Sequence, residues 1–136
     1  MPGKLTVEKI GFPKPPFKKK QPWGKKPSKH RNVSTFYTDI HGTRHWFQSR
    51  AEANYAAKLD TLITGGAIQS WEKQIKIPMD VQGLHICNYY CDFKLTHNDG
   101  SVEWVEVKGR KTDVFNIKWR LFEALYPDWS KRIEWV

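Results

Sequence analysis

One stretch constrains the fold of this chain more than any other: residues 84–110, with the sequence LHICNYYCDFKLTHNDGSVEWVEVKGR. It reads as two strands joined by a tight turn at Asn98-Asp99-Gly100, where glycine supplies the positive φ that such a loop needs. If the loop occupies residues 98–100, residues whose numbers sum to 198 lie opposite each other. Asp92 then lies across from Glu106.

The end of this predicted hairpin gathers three charged side chains. Side chains alternate faces along a strand, so Glu106 and Lys108 point the same way, and Asp92 joins them from the facing strand. Each buried charge costs several kcal/mol to desolvate, so stability alone does not explain the grouping. A divalent cation does explain it. Asp92, Glu106 and the Val107 carbonyl are hard oxygen ligands suited to Mg²⁺, with Mn²⁺ as a substitute.

The basic charge of the chain is concentrated at its N-terminus. Residues 1–31 hold ten Lys or Arg against one acidic residue, whereas residues 32–136 hold thirteen of each. Residues 1–31 also hold six of the eight prolines, a composition that cannot bury a core. We therefore predict a flexible basic arm, 1–31, followed by one folded domain, 32–136.

The arm interleaves its basic residues with Phe12, Phe17 and Trp23, a pattern that suits phosphate contacts combined with base stacking. A solubilising tail is the alternative, and the lack of an amphipathic helical period disfavours a membrane-surface role. The candidate DNA-contacting residues of the arm are Lys18, Lys19, Lys20, Lys25, Lys26, Lys29 and Arg31.

The sequence of this domain predicts an α/β fold with a mixed sheet flanked by helices. Besides the organising hairpin, five elements are expected. They are a short hairpin over 35–47 turning at His41-Gly42, a helix capped by Ser49 and reaching Thr64, a strand over 68–77 stopped by Pro78, a helix capped by Thr112 and reaching Tyr126, and a last strand over 132–136.

The two cysteines, Cys87 and Cys91, do not predict a disulfide, because they share one strand and a bond between them would be strained. We interpret them as core thiols, which suits a reducing cytoplasm. A zinc site with His85 and His97 is the alternative, although a straight strand spreads these groups too far for one tetrahedral ion. No apolar run has the length of a signal-peptide core or a membrane span.

Around Asp92 and Glu106, the chain resembles a known family. An Asp, thirteen intervening residues and Glu-x-Lys resemble the PD-(D/E)XK nuclease superfamily, and in particular small phage-encoded nucleases and Holliday-junction resolvases. The resemblance covers residues 37–136. Its pieces are Ser-Arg-Ala-Glu (49–52), Tyr-x-x-Asp-Phe (89–93), Val-Glu-Val-Lys-Gly (105–109) and a helix opening at Thr112. One position departs from the motif: Cys91 stands where its name has Pro.

The resemblance implies a restriction-endonuclease-like αβββαβ core and Mg²⁺-dependent hydrolysis of DNA, with a preference for branched DNA. It further implies a homodimer in the cytoplasm of a bacterial host, if the chain is phage-encoded. Lys108 would then orient or deprotonate the attacking water. Glu52 would join the metal site or orient a water, although as the third residue after Ser49 it also fits a capping box.

Several further residues have two interpretations each. Lys118 is either a basic residue near the scissile phosphate, as the resemblance implies, or a solvated lysine. Gln74 either points toward the acidic cluster, where it would orient a water, or faces solvent. Arg50 is either a phosphate contact or a solvated charge, and Arg110 and Lys111 are further candidate DNA contacts.

Three rival functions remain at this point. The chain could bind nucleic acid through the nuclease fold without cleaving it, although such a module has no reason to keep Asp92, Glu106 and Lys108 together. It could also be a sequence-specific or nicking phage endonuclease, or a structural phage component. Junction cleavage needs two symmetric nicks and hence a dimer, whose contact we expect near Trp46, Trp129 and Trp135.

Overall fold

The computed structural model describes residues 33–107, 109 and 111–136. Its elements are β1 (Thr35–Thr38), β2 (Arg44–Phe47), α1 (Arg50–Thr64), β3 (Ser70–Val81), β4 (Leu84–Thr96), β5 (Val102–Glu106), α2 (Asp113–Leu125), α3 (Pro127–Ser130) and β6 (Ile133–Trp135). The chain is thus an α/β protein. Among the described residues, no helix is long and apolar enough to cross a membrane.

The strands form a two-stranded sheet, β1-β2, and a four-stranded sheet in the order β3-β4-β5-β6. Strands β3, β4 and β5 pair antiparallel, whereas β6 runs parallel to β5. The larger sheet is therefore mixed, as predicted. Both predicted helix caps are confirmed, since the Ser49 hydroxyl accepts from the Glu52 amide and the Thr112 hydroxyl accepts from the Phe115 amide.

The predicted register of the organising hairpin is confirmed. Phe93 pairs with Val105 and Leu95 with Glu103, so that paired residues sum to 198. Gly100 has a φ of 83°, which glycine adopts without a steric penalty. A register slip of one residue would have reversed the face of every β5 side chain, so this turn determines which residues meet at the strand ends.

The prediction that Pro78 stops a strand is wrong. Strand β3 continues through Pro78, which pairs with Asn88, and ends at Val81. The physical reason is the position of β3 at the edge of the sheet, where a residue without an N–H removes no ladder hydrogen bond. The Pro78 carbonyl accepts a hydrogen bond of 2.9 Å from the Tyr126 hydroxyl, which ties this edge to the end of α2.

Two hydrophobic clusters hold the helices on the larger sheet. The α1 cluster consists of Phe47, Ala53, Ala56, Leu59, Ile68, Phe93, Leu95 and Val105. The α2 cluster consists of Ile77, Met79, Tyr89, Cys91, Phe122 and Ile133. The odd-numbered residues of β4 are divided between the two clusters, with 93 and 95 in the first and 89 and 91 in the second.

The division coincides with one unpaired position in the β3–β4 ladder. Lys73 pairs with Phe93 and Ile75 pairs with Cys91 in the same register, whereas Gln74 and Asp92 between them are not paired. Gln74 has a φ of 51°, in the left-handed region that few residues other than glycine adopt. Asp92 thus lies in β4 between the residues of the α1 cluster and those of the α2 cluster.

Asp60 anchors α1 to both sheets. It is only 3% exposed, and its carboxylate accepts hydrogen bonds from the Tyr37 hydroxyl (2.6 Å), the Ile40 amide (3.1 Å) and Trp71 Nε1 (2.8 Å). With three donors, the buried Asp60 carboxylate has its hydrogen-bonding capacity satisfied. Removing it would leave these donors without an acceptor, which costs free energy of folding.

We therefore expect Asp60→Ala to lower the free energy of unfolding by about 3 kcal/mol, because it leaves three partly buried donors without their acceptor. Urea unfolding followed by tryptophan fluorescence measures this loss. The matched control is Asp80→Ala. Asp80 forms an ion pair with His85, and the two side chains are 57% and 53% exposed. Its loss should lower the free energy of unfolding by less than about 1 kcal/mol. Equal losses for the two variants would contradict the anchoring role.

Candidate functional site

Asp92 and Glu106 are held together by reciprocal hydrogen bonds between side chain and backbone. Asp92 Oδ2 accepts from the Val107 amide at 2.9 Å, and Glu106 Oε2 accepts from the Asp92 amide at 3.3 Å. The Tyr89 hydroxyl donates to Glu106 Oε2 at 2.9 Å, and Gln74 Nε2 donates to Asp92 Oδ1 at 3.3 Å. The two carboxylates are therefore adjacent and oriented before any ligand binds.

Burial sets the electrostatics of this pair. Desolvation raises the pKa of Asp92 to about 6, partly opposed by the hydrogen bond from the Val107 amide. Desolvation and then the charge of Asp92 raise the pKa of Glu106 to about 8. The charge of Glu52 contributes to both increases. Two like charges in a poorly solvated place repel each other, and a bound cation would offset that repulsion.

Glu52 both caps α1 and lines the cleft of the carboxylate pair. Ser49 Oγ accepts from the Glu52 amide at 3.2 Å and donates to Glu52 Oε1 at 3.0 Å, so Glu52 belongs to the cap of α1. Its side chain also lines the same cleft as Asp92 and Glu106. Helix α1 thus delivers a third carboxylate to the site through its capping geometry.

Two adjoining clefts meet at the carboxylate pair. The first cleft has a volume of about 280 Å³ and is lined by Gln48, Ser49, Ala51, Glu52, Asp92, Glu106, Val107, Gly109, Lys111, Phe115 and Trp135. The second cleft has a volume of about 270 Å³ and is lined by Gln48, Gln74, Asn88, Tyr89, Tyr90, Asp92, Glu106, Thr112, Val114, Phe115 and Lys118. Asp92 and Glu106 line both clefts, so a ligand that occupied both clefts would pass over these two carboxylates.

The donor set is of the kind that Mg²⁺ uses. Mg²⁺ is commonly held by one or two carboxylates, with waters and substrate phosphates in the other positions. Asp92, Glu106 and the Val107 carbonyl provide such a set. Within the described residues, no group of three or more His, Cys, Asp or Glu side chains is placed to hold one ion.

The residues of the zinc alternative contact other groups. His97 contacts Glu103 at 2.8 Å and His85 contacts Asp80 at 2.6 Å. The Cys91 thiol lies 3.5 Å from the Val105 carbonyl, and burial raises its pKa to about 12. Thiolate is the form that binds zinc, so Cys91 is poorly suited to that role.

The candidate DNA-contacting residues differ in their placement. Lys111 lines the first cleft, with its Nζ 4.6 Å from the centre of the Trp135 ring. Lys118 lines the second cleft. Arg50 is exposed on α1 and is not among the residues that line either cleft. Lys108, Arg110 and the basic residues of the arm lie outside the described residues.

Sequence reasoning did not assign Tyr89, Gln48 or Trp135 to the site. Alternation along β4 puts Tyr89 and Asp92 on opposite faces, so it does not predict that the Tyr89 hydroxyl donates to Glu106. Trp135 reaches the first cleft because β6 pairs in parallel with β5, which places it opposite Glu106. The parallel pairing of a distant strand leaves no local signal in the sequence.

Comparison with known proteins assigns the chain to a family. Residues 34–136 match the family described as "Protein of unknown function (DUF1064)", and the chain belongs to that family. No curated protein and no solved structure matches the chain. The geometry of the site is therefore the basis for assigning a function.

The raised pKa values predict how stability depends on pH. Between the ordinary carboxyl pKa values, near 4, and about 8, the folded state binds more protons than the unfolded state. Without divalent cations, the free energy of unfolding should therefore fall by at least about 1 kcal/mol as the pH rises through this window. Added Mg²⁺ should restore stability most at the alkaline end, because it competes with protons for the pair.

Thermal unfolding from pH 5 to pH 9, with and without Mg²⁺, measures this dependence. Glu106→Gln should flatten the pH profile and reduce the stabilisation by Mg²⁺. Glu72→Gln, which alters an exposed ion pair with Lys94, is the matched control and should leave both unchanged. A Glu106→Gln profile as steep as that of the wild type would contradict the assignment of these pKa values.

Proposed function

We propose that this chain is a Mg²⁺-dependent DNA endonuclease with a restriction-endonuclease-like core. The observation that carries the proposal is the carboxylate pair of Asp92 and Glu106, held by reciprocal hydrogen bonds where two clefts meet. The order α1-β3-β4-β5-α2-β6 supports it, because it follows the αβββαβ pattern that the sequence motif implies.

Each residue has a role in this proposal. Asp92, Glu106 and the Val107 carbonyl hold Mg²⁺, and Gln74 and Tyr89 fix the orientation of the two carboxylates. When bound, Mg²⁺ neutralises charge on a phosphate oxygen and lowers the pKa of water. Glu52 orients a water molecule from the wall of the first cleft. Lys108 is assigned from the motif to orient or deprotonate the attacking water.

Two neighbouring side chains are unsuited to act as covalent nucleophiles. Cys91 is fully buried, and its pKa of about 12 keeps it a thiol. Burial and the charge of Glu106 raise the pKa of Tyr89, so its hydroxyl stays protonated and serves as a hydrogen-bond donor. Water is therefore the nucleophile in the proposed reaction, and the bond broken is a phosphodiester bond.

We further propose branched DNA as the substrate and a homodimer as the active form. One chain supplies one carboxylate pair, and resolving a junction requires two nicks at phosphates related by two-fold symmetry. Of the three tryptophans expected at the contact, Trp129 packs against Trp104 and Trp135 packs against Trp119, and both are only partly exposed. Trp46 is 47% exposed beside Phe36, its exposed cross-strand partner, so the dimer contact is best sought there.

The central test is cleavage of DNA by carboxylate variants. Asp92→Asn and Glu106→Gln should each lower the cleavage rate in Mg²⁺ by at least about a hundredfold, because each removes a ligand charge. DNA binding should be unchanged or tighter, since repulsion of the phosphates falls. Glu72→Gln, an exposed substitution on the same sheet, should cleave like the wild type. Full activity of either carboxylate variant would contradict the proposal.

The same assay separates the rival functions when it is run on junction, forked, single-stranded and linear DNA of equal length. Preferential cleavage of the junction by a dimer supports the resolvase-like function. Equal cleavage of linear duplex by a monomer would leave a general or nicking nuclease. Binding without cleavage on any substrate would favour the nucleic-acid-binding module.

The arm provides a separate prediction. Deleting residues 1–31 removes all of the net charge of +9, so DNA binding should weaken while the remaining domain still folds. At about 0.9 per neutralised phosphate, losing five contacts lowers the slope of log affinity against log salt by about four. Binding titrations from 50 to 300 mM salt measure the slope. An unchanged slope would reduce the arm to a solubilising tail.

A further inference from the structure

The two clefts beside the carboxylate pair differ in charge. The first cleft adds a third carboxylate, Glu52, and one lysine, Lys111, to the shared pair. The second cleft adds no further acid and is lined by Lys118. A phosphodiester anion is repelled by carboxylates and attracted by a lysine at short range. The second cleft is therefore the better place for a segment of a nucleic-acid strand.

The second cleft also has walls suited to a base. Tyr90 is 44% exposed and Val114 is 63% exposed, and both line this cleft together with Phe115. Exposed aromatic faces beside a few convergent polar groups are the composition of a ligand site. The volume of about 270 Å³ lies at the small end of ligand pockets, so it suits one nucleotide rather than a duplex.

Amide side chains supply hydrogen-bonding capacity in the same cleft. Gln48, Gln74 and Asn88 all line it. Asn88 Oδ1 is buried without a hydrogen-bond partner in the described part of the chain. Asn and Gln amides are well suited to the edges of bases.

We infer that the second cleft binds one unstacked nucleotide of the DNA strand, next to the phosphate that lies at Asp92 and Glu106. The base stacks on Tyr90 and meets the Asn88 amide, and Lys118 contacts a backbone phosphate. The inference rests on the proposed function and narrows it: the strand must be unpaired at the nucleotide beside the cleaved bond. Branch points and single strands meet this requirement, whereas intact duplex does not.

The experiment uses the full-length protein and single-stranded oligonucleotides that carry one 2-aminopurine at each position in turn. Binding is measured in Ca²⁺ and in EDTA, and the cleavage position is mapped in Mg²⁺. The 2-aminopurine beside the cleavage position should be quenched on binding. Tyr90→Ala should remove this quenching and weaken binding roughly fivefold to a hundredfold, as expected for one stacked base.

Matched variants separate stacking from general effects. Tyr90→Phe keeps the ring and should behave like the wild type. Ile86→Ala removes an exposed apolar side chain from the same strand, outside the residues that line the clefts, and should retain the quenching. Lys118→Gln should lower the salt slope by about 0.7, the value for one phosphate of a single strand. Arg120→Gln removes a charge from the same helix, outside the residues that line the clefts, and should leave the slope unchanged.

Retained quenching and affinity in Tyr90→Ala would overturn the inference, even if the protein cleaves DNA. Absence of local quenching at every position in the wild-type protein would also overturn it. Quenching that depends on Tyr90 without any cleavage in Mg²⁺ would support the nucleotide site while refuting the proposed nuclease. Without cleavage there is no mapped position for comparison, so the oligonucleotide scan alone locates the quenched base.

Discussion

The site depends on a reciprocal pair of hydrogen bonds between β4 and the end of β5. The Asp92 carboxylate accepts from the Val107 amide, while the Asp92 amide donates to the Glu106 carboxylate. These bonds form where the β3–β4 ladder skips Gln74 and Asp92. The Val107 and Asp92 amides each donate to a carboxylate, so the same bonds hold the acidic pair together and satisfy these backbone groups.

Holding these two carboxylates next to each other costs electrostatic free energy. Burial raises the pKa of both carboxyl groups, and each negative charge disfavours the other. A protein gains no stability from such a pair, since two apolar residues of similar size would avoid the desolvation. Perturbed carboxyl groups that line clefts are instead typical of sites that bind a cation or transfer protons. The energetics and the geometry therefore favour the same interpretation.

The sequence predicted those features that depend on local chemistry. The register of β4 and β5 follows from the glycine at position 100, and the starts of α1 and α2 follow from Ser49 and Thr112 as caps. These signals act within a few residues. They were enough to place Asp92 beside Glu106, which is the main feature of the site.

Features that depend on distant elements were missed. The continuation of β3 through Pro78 is one such feature, because nothing local in the sequence indicates that the strand lies at the sheet edge. The hydrogen bond from Tyr89 to Glu106 is another, because alternation along β4 does not predict it. Trp135 enters the first cleft only through parallel pairing with β5. Each of these outcomes was determined by tertiary structure.

The most direct test of the account is anomalous diffraction from crystals of the full-length protein soaked in Mn²⁺. A peak between the carboxylates of Asp92 and Glu106 is expected, within about 2.3 Å of an oxygen of each, and it should be absent from crystals of Glu106→Gln. A peak on other residues, or none in crystals that diffract well at pH 8, would contradict the claim that this pair is a metal site.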